Sequence, residues 1–105
     1  MEHNQMRVKI LILIILFLTL VVTLIHADDV RDGLDALNNK DYKTALMKLM
    51  PIAGEGHAKA QFKLGEMYWN GQGVSQDSEE AFKWYQLAGE QGVPLAQFKL
   101  GEMYL

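Results

Sequence analysis

Residues Ala60–Tyr68 read AQFKLGEMY, and the same nine letters return at Ala96–Tyr104. The copies start 36 residues apart, and that offset also pairs Asp41 with Asp77, Ala45 with Ala81 and Gly56 with Gly92 without a gap. A fixed period of this size is the mark of a solenoid, in which each unit is a helix pair that cannot bury its apolar face alone. The repeat thus points to an all-α fold built by stacking.

Turn and cap residues set the helix limits. Asn70-Gly71-Gln72-Gly73 breaks one helix, and Asp77 with Glu80 three places on has the pattern of a capping box. Gly92 closes the next helix and Pro94 suits the first turn of the one after it. Five helices are expected, over about 29–38, 41–54, 58–70, 77–90 and 94–105. Pro51 lacks an amide and clashes with the preceding turn, so the second helix is expected to kink or end near Met50.

On a helical wheel, Ala60, Leu64, Met67 and Tyr68 form one apolar arc of the 58–70 helix, and Phe62, Gly65 and Trp69 form another. Only Lys63, Glu66 and Asn70 remain as a polar edge, so this helix is packed on two sides. The 77–90 helix places Ala81, Phe82, Trp84, Tyr85 and Ala88 opposite Glu79, Glu80, Lys83 and Gln86, the pattern of an outer helix. The 29–38 helix, with Val30, Leu34 and Leu37 on one face, reads as an N-terminal cap. Gly65 and Gly101 sit inside helices, where glycine costs about 1 kcal/mol relative to alanine, so a close helix approach is expected at both.

The first 27 residues differ from the rest. Arg7 and Lys9 precede Ile10–Ile25, sixteen residues without a charge. That length falls between a signal peptide's apolar region of about 7–15 residues and a membrane span of about 20. Residues 1–27 are expected to be a cleaved signal peptide ending at Ala27, with an uncleaved anchor as the alternative. In either case the basic flank stays cytoplasmic and residues 28–105 are exported, to the periplasm or beyond. The chain holds 10 basic and 13 acidic side chains; without Arg7, Lys9 and Glu2 the remainder carries 8 and 12, a net charge of −4. Nucleic acid is an unsuitable partner for that balance. The absence of cysteine excludes disulfides, thiol nucleophiles and thiolate metal sites.

The stretch AQFKLGEMYWNGQGVSQDSEEAFKWYQLAGEQG resembles the Sel-one-like repeat, a subclass of the tetratricopeptide-like helical repeats. The resemblance rests on Ala60, Leu64-Gly65 and Tyr68, the loop Asn70–Val74, Asp77, Ala81, Trp84-Tyr85, Ala88 and Gly92, and it covers residues 41–104. It implies a short right-handed α/α superhelix of about two repeats, preceded here by the apolar N-terminal helix, and a role as a scaffold for protein complexes. Exported, cysteine-rich members of the family have been associated with penicillin binding and β-lactamase activity. This sequence departs from them in having no cysteine.

Few residues offer catalytic chemistry. His57 beside Glu55 falls short of three or four metal ligands and suits a helix start. Ser75 and Ser78 lack the S-x-x-K spacing of serine β-lactamases, and Gly71-Gln72-Gly73 follows a helix without the Lys-Ser/Thr ending of a phosphate loop. Asp28, Asp29, Asp32 and Asp35 favour a helix start and a solvated face. Trp84 and Tyr85 belong to the core.

No cofactor or metal is expected, and no enzymatic activity; the alternative that the resemblance leaves open is a β-lactam-binding or β-lactamase-like activity in the envelope, as in the cysteine-rich members. The candidate site is the polar edge of the repeated helix: Lys63, Glu66 and Asn70, echoed by Lys99 and Glu102. A protein or peptide is the expected partner, with membrane contact only through residues 10–25 if they are uncleaved. The second copy of the repeated helix lacks a following outer helix in this sequence, so self-association through that face, or truncation of a longer repeat protein, is also expected.

Overall fold

The chain is described by a computed structural model covering residues 2–104 and all their side chains except that of Ile25. Met1 and Leu105, the expected last residue of the final helix, lie outside the described residues. Five helices follow one another: α1 (Glu2–Asn38), α2 (Tyr42–Gly54), α3 (Ala58–Asn70), α4 (Ser78–Glu90) and α5 (Pro94–Tyr104). Each packs on the next, so the chain is an α/α solenoid with principal extents of 64 × 29 × 19 Å.

The helix expected over 29–38 is the C-terminal part of the 37-residue α1. No glycine or proline interrupts the sequence before Gly33, so nothing in it breaks the helix after the apolar run. Within that run Thr19 and Thr23 donate their hydroxyls to the carbonyls of Leu16 and Thr19, at 2.8 and 2.7 Å, and so hide polar atoms on an apolar surface. Helix α2 continues through Pro51 to Gly54, past the expected stop near Met50. The carbonyl that Pro51 leaves without a donor belongs to Met47, an exposed residue.

Caps fix the other boundaries. Asp41 accepts from the Thr44 amide at 3.3 Å, and His57 Nδ1 accepts from the Ala60 amide at 3.2 Å. Asp77 accepts from the amides of Glu79 and Glu80, both at 3.1 Å. The reciprocal half of the capping box is absent, because the Asp77 amide donates to the Tyr68 carbonyl at 2.9 Å.

Helix α3 joins two cores, as its two apolar arcs require. Ala60, Leu64 and Met67 pack with Ala36 of α1 and with Ala45, Leu49, Ile52 and Ala53 of α2. Phe62 packs with Ala81, Tyr85 and Ala88 of α4 and with Ala96 of α5. Tyr68 joins this second core, not the first, and Trp69 stays 39% exposed. A buried glutamine links the units: Gln61 Nε2 donates to the Ala53 carbonyl at 3.1 Å, and its amide oxygen accepts from Gln91 Nε2 at 2.8 Å. Gln97 repeats the first bond 36 positions on, to the Gly89 carbonyl at 3.0 Å.

Close approach occurs at Gly65 and not at Gly101. A Cβ on Gly65 would stand 2.6 Å from the Tyr85 ring, whereas one on Gly101 meets no atom within 4 Å. The difference follows from coverage, since α4 packs over α3 and no described helix follows α5. Gly33 of α1 repeats the arrangement: a Cβ there would lie 2.7 Å from Leu49, which is 36 positions before Tyr85. The C-terminal part of α1 is thus built like α3, beyond the role of a cap.

These contacts give opposite outcomes for one substitution. Gly65→Ala is expected to destabilise by about 1–3 kcal/mol, because overpacking against a buried ring outweighs the gain in helix propensity. Gly101→Ala is expected to be neutral or stabilising by up to about 1 kcal/mol. Thermal unfolding of the two variants checks this; equal shifts would rule out the close approach as the reason for glycine.

Candidate interaction site

The polar edge of α3 is held in place by the two cores beneath it. Lys63 and Glu66, one turn apart, pair at 3.2 Å, and both side chains are about one-third exposed, at 32% and 34%. Asn70 is exposed at the last turn. All three line a cleft of about 360 Å³ where α3 meets the end of α1 and the start of α2, with Asn38, Lys40 and Tyr42 on the opposite wall. Lys99 and Glu102 pair in the same way at 3.5 Å on α5 but do not line this cleft.

Asn38, Lys40, Tyr42 and Gln72 are members of the cleft that the 36-residue offset does not identify. A second register relates Asn38, Lys40 and Gln72, though not Tyr42, to the polar edge. Aligning Gly33 with Gly65, 32 residues apart, places Asn38 on Asn70 and Arg31 on Lys63. The loop after α1 is four residues shorter than the loop after α3, measured from these glycines to Asp41 and Asp77. Gln72 Nε2 donates to the Tyr42 hydroxyl at 3.3 Å and ties that longer loop to α2. Gly73 is needed there: its φ is +74°, and a Cβ would stand 2.9 Å from Tyr42.

Behind the polar edge, burial pushes the Tyr85 hydroxyl up to about 12, helped by the negative charges of Glu66 and Glu102. Tyr85 thus stays a neutral phenol well above the ordinary range. Trp84 packs against the first core, and its Nε1 is a buried side-chain polar atom with no partner among the described residues.

The remaining residues singled out in the sequence lie elsewhere. His57 uses a ring nitrogen as a helix cap, and Asp28 and Asp29 pair with Arg31 and Lys48 at 3.3 and 3.4 Å. Ser75 lies exposed in the loop before α4 and Ser78 is exposed at its first position. Among the described residues no three His, Asp or Glu side chains are grouped to hold a metal ion. A larger cleft, about 640 Å³, lies along α4 beside the end of α5, with Trp69, Phe82, Met103 and Tyr104 among its walls. It contains none of the repeated polar-edge residues.

The Sel1 repeat family pattern matches residues 58–93 and 94–105. A solved Sel1 repeat protein from Oxalobacter formigenes superposes with a TM-score of 0.67 at 40% identity, over 71% of this chain and 31% of that one. An exopolysaccharide production negative regulator from Rhizobium leguminosarum bv. viciae is 38% identical over 61 residues, 58% of this chain and 23% of the relative. The chain therefore spans about a quarter to a third of the length of these proteins.

The Tyr85 environment is accessible to titration. Its folded pKa lies above the ordinary 10.0, so the folded state keeps a proton that the unfolded state releases. That contribution is complete below pH 10 and is lost as pH rises through about 12. Ultraviolet titration is expected to show a late phenolate step that disappears in Tyr85→Phe, with a smaller alkaline loss of stability in the variant.

Proposed function

This chain is a Sel1-like, tetratricopeptide-like helical repeat protein, and we propose that it works as an exported, non-catalytic interaction module that binds a protein or peptide on the polar edge of its repeated helices. Sel1 repeat proteins generally serve as protein-interaction scaffolds. The observation that carries the proposal is the cleft beside α3. Most of that helix is committed to two cores, and its one polar edge, Lys63, Glu66 and Asn70, lines a recess of about 360 Å³. Stacked helices that leave such an edge free form the binding surfaces of solenoids. The name of the Rhizobium relative, a negative regulator, fits a protein that acts by binding.

Export rests on the N-terminal segment. Helix α1 is long and apolar enough to cross a membrane, and its large apolar side chains from Ile10 to Leu24 lie mostly exposed, outside either core. With Arg7 and Lys9 on the cytoplasmic side, the repeats lie outside the cytoplasm. N-terminal sequencing separates two forms of this arrangement: a chain beginning at Asp28 is processed, and an intact chain is anchored. Recovery of the repeats in the cytosol would contradict both.

A photo-crosslinking side chain at Asn70 is expected to capture polypeptide partners in native envelope, and one at exposed Lys43 of α2 is not. Reversing the charges of Lys63 and Glu66 together preserves a pair worth only about 0.3–0.5 kcal/mol, so capture should weaken without a lower melting temperature. Adducts at Lys43 alone, or loss of fold in the reversed variant, would count against the site.

A further inference from the structure

We propose that the cleft between α1 and α3 takes an acidic peptide segment, with a carboxylate of the peptide seated on Lys40. The inference rests on the binding role proposed for this cleft and adds the chemistry of its occupant. Three charged residues line the recess, Lys40, Lys63 and Glu66. Lys63 and Glu66 neutralise one another at 3.2 Å, whereas Lys40 makes no ion pair among the described residues. One uncompensated cation thus remains, on a repeat region whose net charge is −4.

The hydrogen-bonding groups lean the same way. Helices α1 and α3 both end at the cleft, and free carbonyls there would favour a cationic ligand. Most of them are taken, and only those of Asn38 and Asn70 accept no hydrogen bond among the described residues. At the end of α1 the Asp35, Ala36 and Leu37 carbonyls accept from the amides of Asn39, Asp41 and Lys40, at 3.0, 2.8 and 3.0 Å. At the end of α3 the Met67 and Tyr68 carbonyls accept from Gln72 and Asp77, and the Trp69 carbonyl accepts from Gln76 Nε2. Because the Tyr42 hydroxyl accepts from Gln72, its own proton is left to donate. The side-chain amides of Asn38 and Asn70 make no hydrogen bond within the described residues and stand ready as further donors.

Lys40 itself is held in an unusual conformation. Its φ is +60°, the left-handed region, and it is the one non-glycine residue among those described with positive φ. The longer loop after α3 uses Gly71 and Gly73 for such conformations. Lys40 is the left-handed residue that closes α1, with its amide on the Leu37 carbonyl and the Asp41 amide on the Ala36 carbonyl, and the cap fixes where the lysine stands at the rim of the cleft. A single carboxylate matches the single free cation. A dianionic phosphate would require a second cation and would face Glu66, which holds Lys63 in its own pair.

The test uses the full chain in detergent micelles and fluorescence anisotropy with three labelled peptides of equal length. They carry a Leu-Glu-Glu-Leu core, the same core with Gln for Glu, or the same core with Lys for Glu. The Glu peptide is expected to bind about tenfold more tightly than its Gln twin, a preference that weakens with salt. Lys40→Gly relieves the positive φ, so its melting temperature should equal or exceed that of the parent while the preference for Glu disappears. Equal binding of the Glu and Gln peptides, or a preference unchanged in Lys40→Gly, overturns the acidic specificity. If Asn70→Ala still weakens binding in that case, the cleft survives as the binding site and only the acidic partner is lost. Failure of all three peptides to bind overturns the proposal and the binding role together.

Discussion

The backbone of Gly65 lies close against the Tyr85 ring, and this contact sets the separation of α3 and α4. A side chain at position 65 would hold the helices apart and open the core that Phe62, Ala81 and Ala88 fill. The same constraint acts one unit earlier, where Gly33 meets Leu49. Glycine at these points sacrifices local helix propensity for close packing. The Gly33 contact sets α1 close on α2, and α2 packs in turn on α3, so the ends of α1 and α3 flank the cleft with Lys63, Glu66 and Asn70 on its wall.

The repeated nonapeptide shows how far such packing depends on neighbours. Phe62 is 7% exposed and Phe98, its copy, is 62% exposed. Ala60 and Ala96 are both fully buried, because each faces the preceding outer helix. The difference arises on the other face, which α4 covers in α3 and which no described helix covers in α5. Stability in a solenoid is thus a sum of nearest-neighbour interfaces, and the same letters have different stabilities at different positions. Gln61 and Gln97 add a directional element, each reaching back to a carbonyl at the end of the preceding outer helix.

Much of this was legible in the sequence because the punctuation is strong. Asn70-Gly71, Asp77, Gly92 and Pro94 place four boundaries to within a residue or two, and the wheel of 58–70 anticipates that α3 packs on two sides, though not the sides taken by Tyr68 and Trp69. The misses have physical causes. The 29–38 segment could not be separated from the apolar run because helical propensity is continuous across it. Pro51 failed to stop α2 because only the carbonyl of an exposed residue loses its partner. Half of the cleft was hidden by a register change: the loop after α1 is shorter, so Asn38 and Lys40 fall outside a gapless 36-residue comparison. Lys40 carries a further signal, its positive φ, that no local sequence pattern announces.

Order in the repeated helix is the product of the outer helix that covers it. Amide hydrogen exchange, read residue by residue by NMR so that the two identical nonapeptides are distinguished, tests this directly. Amides of Phe62–Tyr68 are expected to exchange only near global unfolding, and those of Phe98–Tyr104 to exchange much faster through local opening. Equal protection of the two copies would contradict the account, because it would mean that the sequence of the helix, and not its neighbour, determines its stability.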